Sequence, residues 1–156
     1  MKRLQYIQHM NVYAENLITY LANTRKADIP KVIQHIHDNL SVLGHTANGR
    51  SIFTFKGNDG SDEIQSAEIL IPVKGEIRPS ENYGKKPVFR LVNAVMTRHE
   101  GSIADISGTE TALKDYIKKN NYEPITGVYY VVVRNGDKFG SDCVLEVYIG
   151  VNYNSL

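Results

Sequence analysis

A chain of 156 residues, of which 42% are hydrophobic and 22% charged, is long and apolar enough to fold as one globular domain. Its 18 basic and 17 acidic residues give a formal net charge of +1, so we expect no direct contact with nucleic acid or membrane. The single cysteine, Cys143, excludes an internal disulfide, and no apolar run approaches the ~18 residues that cross a bilayer. These features predict a cytoplasmic protein.

The first half of the chain has the pattern of a strand, a helix and two further strands. β-Branched and aromatic residues from about Asn11 to Leu21 predict a strand. Asp28 and Pro30 are typical of a helix start, and the apolar residues that follow recur on one helical face: Val32, Ile33, Ile36 and Leu40. The glycine-rich segment 57–62 then predicts a hairpin turn between two strands.

The second half has the same order of elements. A strand is predicted from Phe89 to Thr97, followed by a helix with the apolar stripe Ala112, Leu113, Tyr116 and Ile117. Ser107 and Glu110 have the spacing of a capping box at the start of that helix. A second hairpin turn is predicted at 135–140.

The two halves align when the sequence is shifted against itself by half its length, which places Glu68 on Glu146. The helical stripes align better with a further slip of two positions. We predict a single domain over 1–156, with repeat copy one at about 11–74, a linker at about 75–88 and copy two at about 89–152. Because each copy is too small to fold alone, both are expected to share one antiparallel sheet covered in part by the two helices.

Alternation along the last strand of each copy defines a candidate site. It places Glu68 and Glu146 at matching positions on the face opposite the helices. Tyr148 shares the face of Glu146, and the adjacent strand offers Tyr129 and Tyr130. A carboxylate among aromatic rings is suited to a cationic or polar aromatic ligand, whereas two merely solvent-facing glutamates are the alternative.

Other kinds of site have weaker signals. His35 and His37 lie two residues apart on a helix and therefore point in different directions, which makes them a poor metal pair. The sequence has no Cys/His cluster and no nucleotide-binding glycine motif. We therefore expect no metal and no cofactor, and assign no catalytic residue.

Two segments of the second half resemble the GyrI-like family of effector-binding domains. They are Thr97-Arg98-His99-Glu100-Gly101 with the helix that follows, and the closing Leu145-Glu146-Val147-Tyr148-Ile149. The resemblance implies an α+β fold in which a duplicated β-α-β-β unit forms a curved, barrel-like antiparallel sheet, with two helices packed on it and a ligand cleft between the copies. It also implies a structural role for His99.

The same resemblance implies the site residues. By position, Glu146 matches the acidic residue at the base of the family's ligand pocket, and Tyr148 and Tyr130 fall on strands that line it. With the symmetry-related Glu68, these four are the predicted ligand-binding residues. Gly150 departs from the family pattern, since it replaces a proline that copy one retains as Pro72.

Three functions fit these features. The first, which we favour, is a stand-alone effector domain without an attached DNA-binding module, binding a cationic or aromatic small molecule. The second is a small hydrolase that detoxifies reactive xenobiotics with a pocket glutamate. The third is an accessory protein that acts through a protein partner, as a gyrase inhibitor does. A binding role is preferred here over an enzymatic one.

Overall fold

The computed structural model describes residues 3–56, 63–136 and 141–153. The strands are β1 (Tyr6–Thr24), β2 (Thr46–Ala47), β3 (Ile52–Phe55), β4 (Gln65–Lys74), β5 (Gly84–Gly101), β6 (Glu123–Arg134) and β7 (Cys143–Asn152). The helices are α1 (Ile29–Leu40) and α2 (Ile106–Lys119), and each follows a short 3-10 turn. No helix within the described ranges has the length and apolarity needed to cross a membrane.

Two predicted bounds differ from these. The strand predicted from Asn11 to Leu21 extends over Tyr6–Thr24, and β5 begins at Gly84, inside the predicted linker. The predicted turn at 57–62 lies outside the described residues, as does 137–140 of the second predicted turn.

The sheet is antiparallel and closes on itself. Its strand order is β1-β5-β7-β6-β3-β4-β2, and an additional pairing joins β1 to β4, so six strands form a ring and β2 extends it beside β4. The two halves meet at two junctions. β1 and β5 pair along Tyr6–Thr19, whereas the described residues of β3 and β6 pair through Ile52 with Val131 and Phe53 with Tyr130. The predicted α+β class with a curved sheet and two helices is confirmed.

Two long strands bend at asparagines with a left-handed backbone. Asn16 in β1 has φ 56° and Asn93 in β5 has φ 53°, a region that asparagine tolerates better than most residues. The Asn16 side-chain amide donates to the carbonyls of Val73 and Gly75, at 2.8 and 2.7 Å. The bend lets β1 pair with β5 along Tyr6–Thr19 and with β4 along Leu17–Thr24.

The main core lies between the helices and one face of the ring. Its strand residues include the alternating sets predicted for the last strands, Ala67, Ile69, Ile71 and Val73 of β4 and Leu145, Val147, Ile149 and Val151 of β7. The helices contribute Ile33 and Ile36 of α1 and Leu113 and Ile117 of α2. Since two helices cannot fit inside a six-stranded ring, this helix-covered face is the outer face.

The predicted capping box is wrong. Helix α2 begins at Ile106, so Ser107 lies within its first turn, and the residue at the N-cap position is Asp105. The 3-10 turn before the helix brings the chain into helical conformation earlier than Ser107. Ser102 instead caps that 3-10 turn by accepting from the Ala104 amide at 3.2 Å.

His99 links the end of β5 to α2 and is buried. Its Nε2 donates to the carbonyl of Ser102 at 2.8 Å, so Nδ1 is free to accept from the Thr109 hydroxyl at 2.7 Å. His99 therefore has a structural role, as the sequence resemblance implied.

The two halves have the same order of elements, and corresponding elements are separated by nearly the same number of residues. The 3-10 turns begin at Lys26 and Ile103, and the last strands begin at Gln65 and Cys143. The interval from 3-10 turn to last strand therefore differs by a single residue between the halves. The buried helix residues correspond at this same spacing, with Ile29, Ile36 and Leu40 matching Ile106, Leu113 and Ile117, and Glu110 takes the position of Ile33. The structure therefore does not show the further slip of two positions. We retain the internal duplication as a proposal.

Glu110 is buried because a lysine of the first half neutralises it. Lys26 Nζ donates to the two carboxylate oxygens at 2.8 and 3.1 Å, and the side chains are 12% and 6% exposed. The ammonium also lies 5.6 Å from the centre of the Phe55 ring. This ion pair joins the two halves beside the helix starts.

We expect Lys26→Met to lower the free energy of unfolding by about 3–5 kcal/mol, because it leaves the Glu110 charge buried without a partner. The double variant Lys26→Met/Glu110→Leu should be closer to wild type. The exposed pair of Arg134 and Asp142 provides a matched control, and Arg134→Met should cost at most about 1 kcal/mol. Urea unfolding measures all three, and a loss for Lys26→Met no larger than for Arg134→Met would contradict the assignment.

Gly150 is required by a close approach between β7 and β6. Its amide donates to the Thr126 hydroxyl at 2.9 Å, which a proline could not do. A Cβ at this position would lie 2.9 Å from Thr126 Cγ2 and 3.2 Å from Leu91 Cδ1. This contact accounts for the departure from proline in the second half.

Gly150→Ala should therefore lower the free energy of unfolding by about 1–3 kcal/mol through overpacking. Thr126→Ser removes the clashing methyl group and keeps the hydroxyl acceptor, so it should recover part of the loss when combined with Gly150→Ala. Urea midpoints of both single variants and the double variant test this, and simple additivity of the two losses is the result that would refute it.

Candidate functional site

The inner face of the ring carries a second apolar cluster. Its buried members come from six strands: Leu17, Ile52, Leu70, Phe89, Leu91, Ala94, Met96, Val131 and Tyr148. Neither described helix contributes a residue to this cluster, so these side chains are buried against one another across the ring. The rings of Phe89 and Tyr129, from non-adjacent strands, have their centres 5.2 Å apart. Polar groups on this face therefore lie in apolar surroundings.

Glu146 is a charged group within these surroundings. The Tyr148 hydroxyl donates to Glu146 Oε1 at 2.9 Å, since residues two apart on β7 share a face. Arg50, just before β3, places its Nη1 at 3.4 Å from the same oxygen. The Glu146 side chain is 20% exposed and that of Arg50 is 56% exposed. The carboxylate thus accepts a short hydrogen bond from a neutral phenol and has a more distant, mostly exposed cationic partner.

Two tyrosines beside the glutamates are held in the neutral form. Burial raises the pKa of Tyr148 far above its usual value, and the hydrogen bond and charge of Glu146 raise it further. Tyr129 lies directly opposite Tyr148 in the β6–β7 pairing, and burial, with a smaller contribution from the charge of Glu68, raises its pKa as well. Both phenols are therefore hydrogen-bond donors at physiological pH.

The structure brings together three of the four predicted residues on this face. Glu68 lies on β4 near Tyr129, and Glu146 and Tyr148 lie on β7. Within the described part of the chain, the Glu68 carboxylate has no hydrogen-bond or ion-pair partner.

Tyr130 does not join them. It is 2% exposed and belongs to the outer core, where its ring stacks on Phe53 with centres 4.6 Å apart. The pairing of β6 with β7 places Tyr130 opposite Val147, which faces the helices. Its neighbour Tyr129 takes the inner position instead.

Sequence reasoning missed Arg50. It lies 96 residues from Glu146 and belongs to no motif, and the pairing of β3 with β6, beside β7, brings the two together. A lone arginine before a short strand gives no sequence signal for such a contact.

Two hollows lie on the surface beside the helices. One, of about 570 Å³, lies at the end of α2, and the other, of about 420 Å³, lies between α1 and the end of β1. Neither is lined by Glu68 or Glu146, and the Glu146 carboxylate is instead contacted by Tyr148 and Arg50. Among the residues described, no three His, Cys, Asp or Glu side chains are grouped so that they could hold a metal ion.

Comparison with protein families and with curated proteins gives no match for this sequence. Solved structures do match. The chain is similar to EcmrR in an EcmrR–DNA complex, with a TM-score of 0.69 and 13% identity over 96% of this chain, and it spans 57% of the EcmrR chain. It is similar to the isolated C-terminal domain of EcmrR over 98% of that domain, with a TM-score of 0.67, 13% identity and 96% of this chain covered.

A third similar structure is SAV2435 bound to tetraphenylphosphonium, with a TM-score of 0.50 and 12% identity over 97% of this chain and 94% of SAV2435. At such low identities, the similarities establish a shared fold. They agree with the fold that the GyrI-like resemblance implies.

We expect Tyr148→Phe to lower the free energy of unfolding at neutral pH by about 0.5–1.5 kcal/mol, the contribution of one hydrogen bond. Because the pKa of Tyr148 is raised on folding, its stabilising effect is complete below its ordinary pKa of 10.0 and is lost as pH rises further. The deficit of the variant should therefore narrow between pH 9 and about pH 11. Urea midpoints at both pH values measure it, and a deficit that stays constant would contradict the raised pKa.

Proposed function

We propose that this chain is a small-molecule-binding domain whose ligand is a cation with an aromatic or apolar body, bound at Glu146 on the inner face. One observation carries the proposal: the Glu146 carboxylate lies among apolar and aromatic side chains, and its cationic partner is weakly held. A carboxylate in such surroundings is costly unless a cation neutralises it.

Arg50 supplies that neutralisation in the free protein and can be displaced. Its contact with Glu146 is a single one at 3.4 Å, and more than half of its side chain is exposed. Exposed ion pairs of this kind contribute about 0–1 kcal/mol. A ligand cation can therefore replace the guanidinium at small cost, while Tyr148 continues to orient the carboxylate.

The tyrosine rings provide the remaining interactions. Tyr148 and Tyr129 are paired across β7 and β6, and the face of a phenol ring attracts a cation within about 6 Å of its centre. Since Tyr148 remains protonated, its ring stays neutral and its hydroxyl continues to fix one carboxylate oxygen. Glu68 supplies a second negative charge on the same face.

The structural neighbours support this proposal. The fold is that of the EcmrR C-terminal domain, and SAV2435 has been solved with tetraphenylphosphonium, which is a lipophilic aromatic cation. The same class of ligand is what the Glu146 surroundings favour on physical grounds.

We expect tetraphenylphosphonium to bind the wild-type protein and to raise its thermal stability. At a ligand concentration of 100 times the Kd, the gain is about 2.7 kcal/mol. Glu146→Gln should weaken binding at least about tenfold, because it removes the charge and keeps the shape. Arg50→Gln should tighten binding, because the ligand no longer competes with the guanidinium.

Asp142→Asn is the matched control, since it also removes an acidic partner of an arginine on the sheet but lies at the hairpin end of β7. It should leave the Kd unchanged in titration calorimetry. Equal affinity of wild type and Glu146→Gln would show that the ligand does not bind at this carboxylate, and no binding to wild type would count against this class of ligand.

Hydrolysis is a second candidate, favoured by the Tyr148–Glu146 hydrogen bond. The carboxylate can orient a water molecule, and the protonated phenol beside it can donate a proton to a leaving group. A similar fold occurs in a hydrolase from Listeria innocua, with a TM-score of 0.53 and 10% identity over 96% of this chain and 92% of that one. Turnover of an aryl ester that Tyr148→Phe abolishes, with tetraphenylphosphonium binding retained, would support this role over binding alone.

A further inference from the structure

The groove at the end of α2 is separate from the inner face. Its floor is formed by Ile117 of α2, Pro124 of β6 and Ile149 of β7. Ile149 faces the helices, whereas Glu146 faces the inside of the ring. A ligand in this groove would therefore contact the outer side of the sheet.

The groove lies where the chain passes from α2 into β6. Asn121 has φ 60° and turns the chain out of α2, so that β6 begins only two residues later. The pairing of β6 with β7 is then interrupted between Pro124 and Val128. The hollow lined by the end of α2 and the start of β6 has a volume of about 570 Å³, which is the size of a small-molecule site.

The rim of the groove carries two lysines. Lys114 and Lys118 are one helical turn apart, so they lie on the same side of α2, and both are exposed. Neither forms an ion pair with any residue that the structure describes. Glu123 is a lining residue from β6. An apolar floor below two unpaired ammonium groups is complementary to a molecule with an apolar body and an anionic end.

We propose that this groove is a second ligand site, which binds an amphipathic anion such as a long-chain or aromatic carboxylate. The apolar body lies against Ile117, Pro124 and Ile149, and the anionic group lies between Lys114 and Lys118. Lysines in the last turns of a helix also stabilise the helix dipole, so the test must separate ligand binding from that structural role.

The probe is 8-anilinonaphthalene-1-sulfonate, followed by fluorescence and displaced by decanoate. Wild type should bind both, and Lys114→Glu/Lys118→Glu should weaken both at least about tenfold. Glu123→Gln should tighten decanoate binding, because it removes the one negative charge of the lining. Decylammonium has the same tail with the opposite charge, so it should displace the probe poorly from wild type.

Two controls separate this site from the inner face and from a general effect of net charge. Lys85→Glu/Lys86→Glu makes the same change in net charge on β5 and should leave both affinities unchanged. Glu146→Gln should also leave decanoate binding unchanged, so failure of the inner site and failure of the groove can be told apart. The proposal is overturned if the two double variants bind alike, if decylammonium competes as well as decanoate, or if Glu146→Gln abolishes binding.

Discussion

Closure of the sheet is the constraint on which the rest of the structure depends. Six strands form a ring because β1 pairs with both β5 and β4, and because two residue pairs join β3 to β6. A closed sheet has an inner and an outer face, so alternate residues along each strand enter different environments. The outer face packs against the helices, and the inner face packs against itself.

This division gives each face its own chemistry. The inner face places the Glu146 carboxylate beside aromatic rings and under the loosely held Arg50, which favours a cation. The outer face leaves a groove at the end of α2, where Lys114 and Lys118 favour an anion. Glu110 differs from Glu146, because its buried charge is neutralised within the chain by Lys26. This ion pair also connects the two halves. The contrast between a matched Glu110 and a loosely matched Glu146 is the physical reason why we propose Glu146 as the ligand site.

Much of the architecture follows from local sequence patterns. Alternation in the last strands correctly separates the core side of β7 from the side of Glu146 and Tyr148, because a strand has a side-chain period of two. The order of strands and helices, and the class of fold, follow from the same periodicities. Ser107 and Glu110 mislead because the capping-box spacing is local, whereas Glu110 is held by a lysine 84 residues away.

The sequence by itself determined which residue types alternate, where the helices lie and which carboxylate faces away from them. The tertiary structure alone decided which neighbours that carboxylate has. Tyr129 rather than Tyr130 shares the inner face with Glu146 because the β6–β7 register places Tyr129 opposite Tyr148 and Tyr130 opposite Val147. A shift of one residue would exchange the faces of the two tyrosines. Arg50 reaches Glu146 because β3 pairs with β6, which in turn pairs with β7. Register and closure are properties of paired strands, and no single segment encodes them.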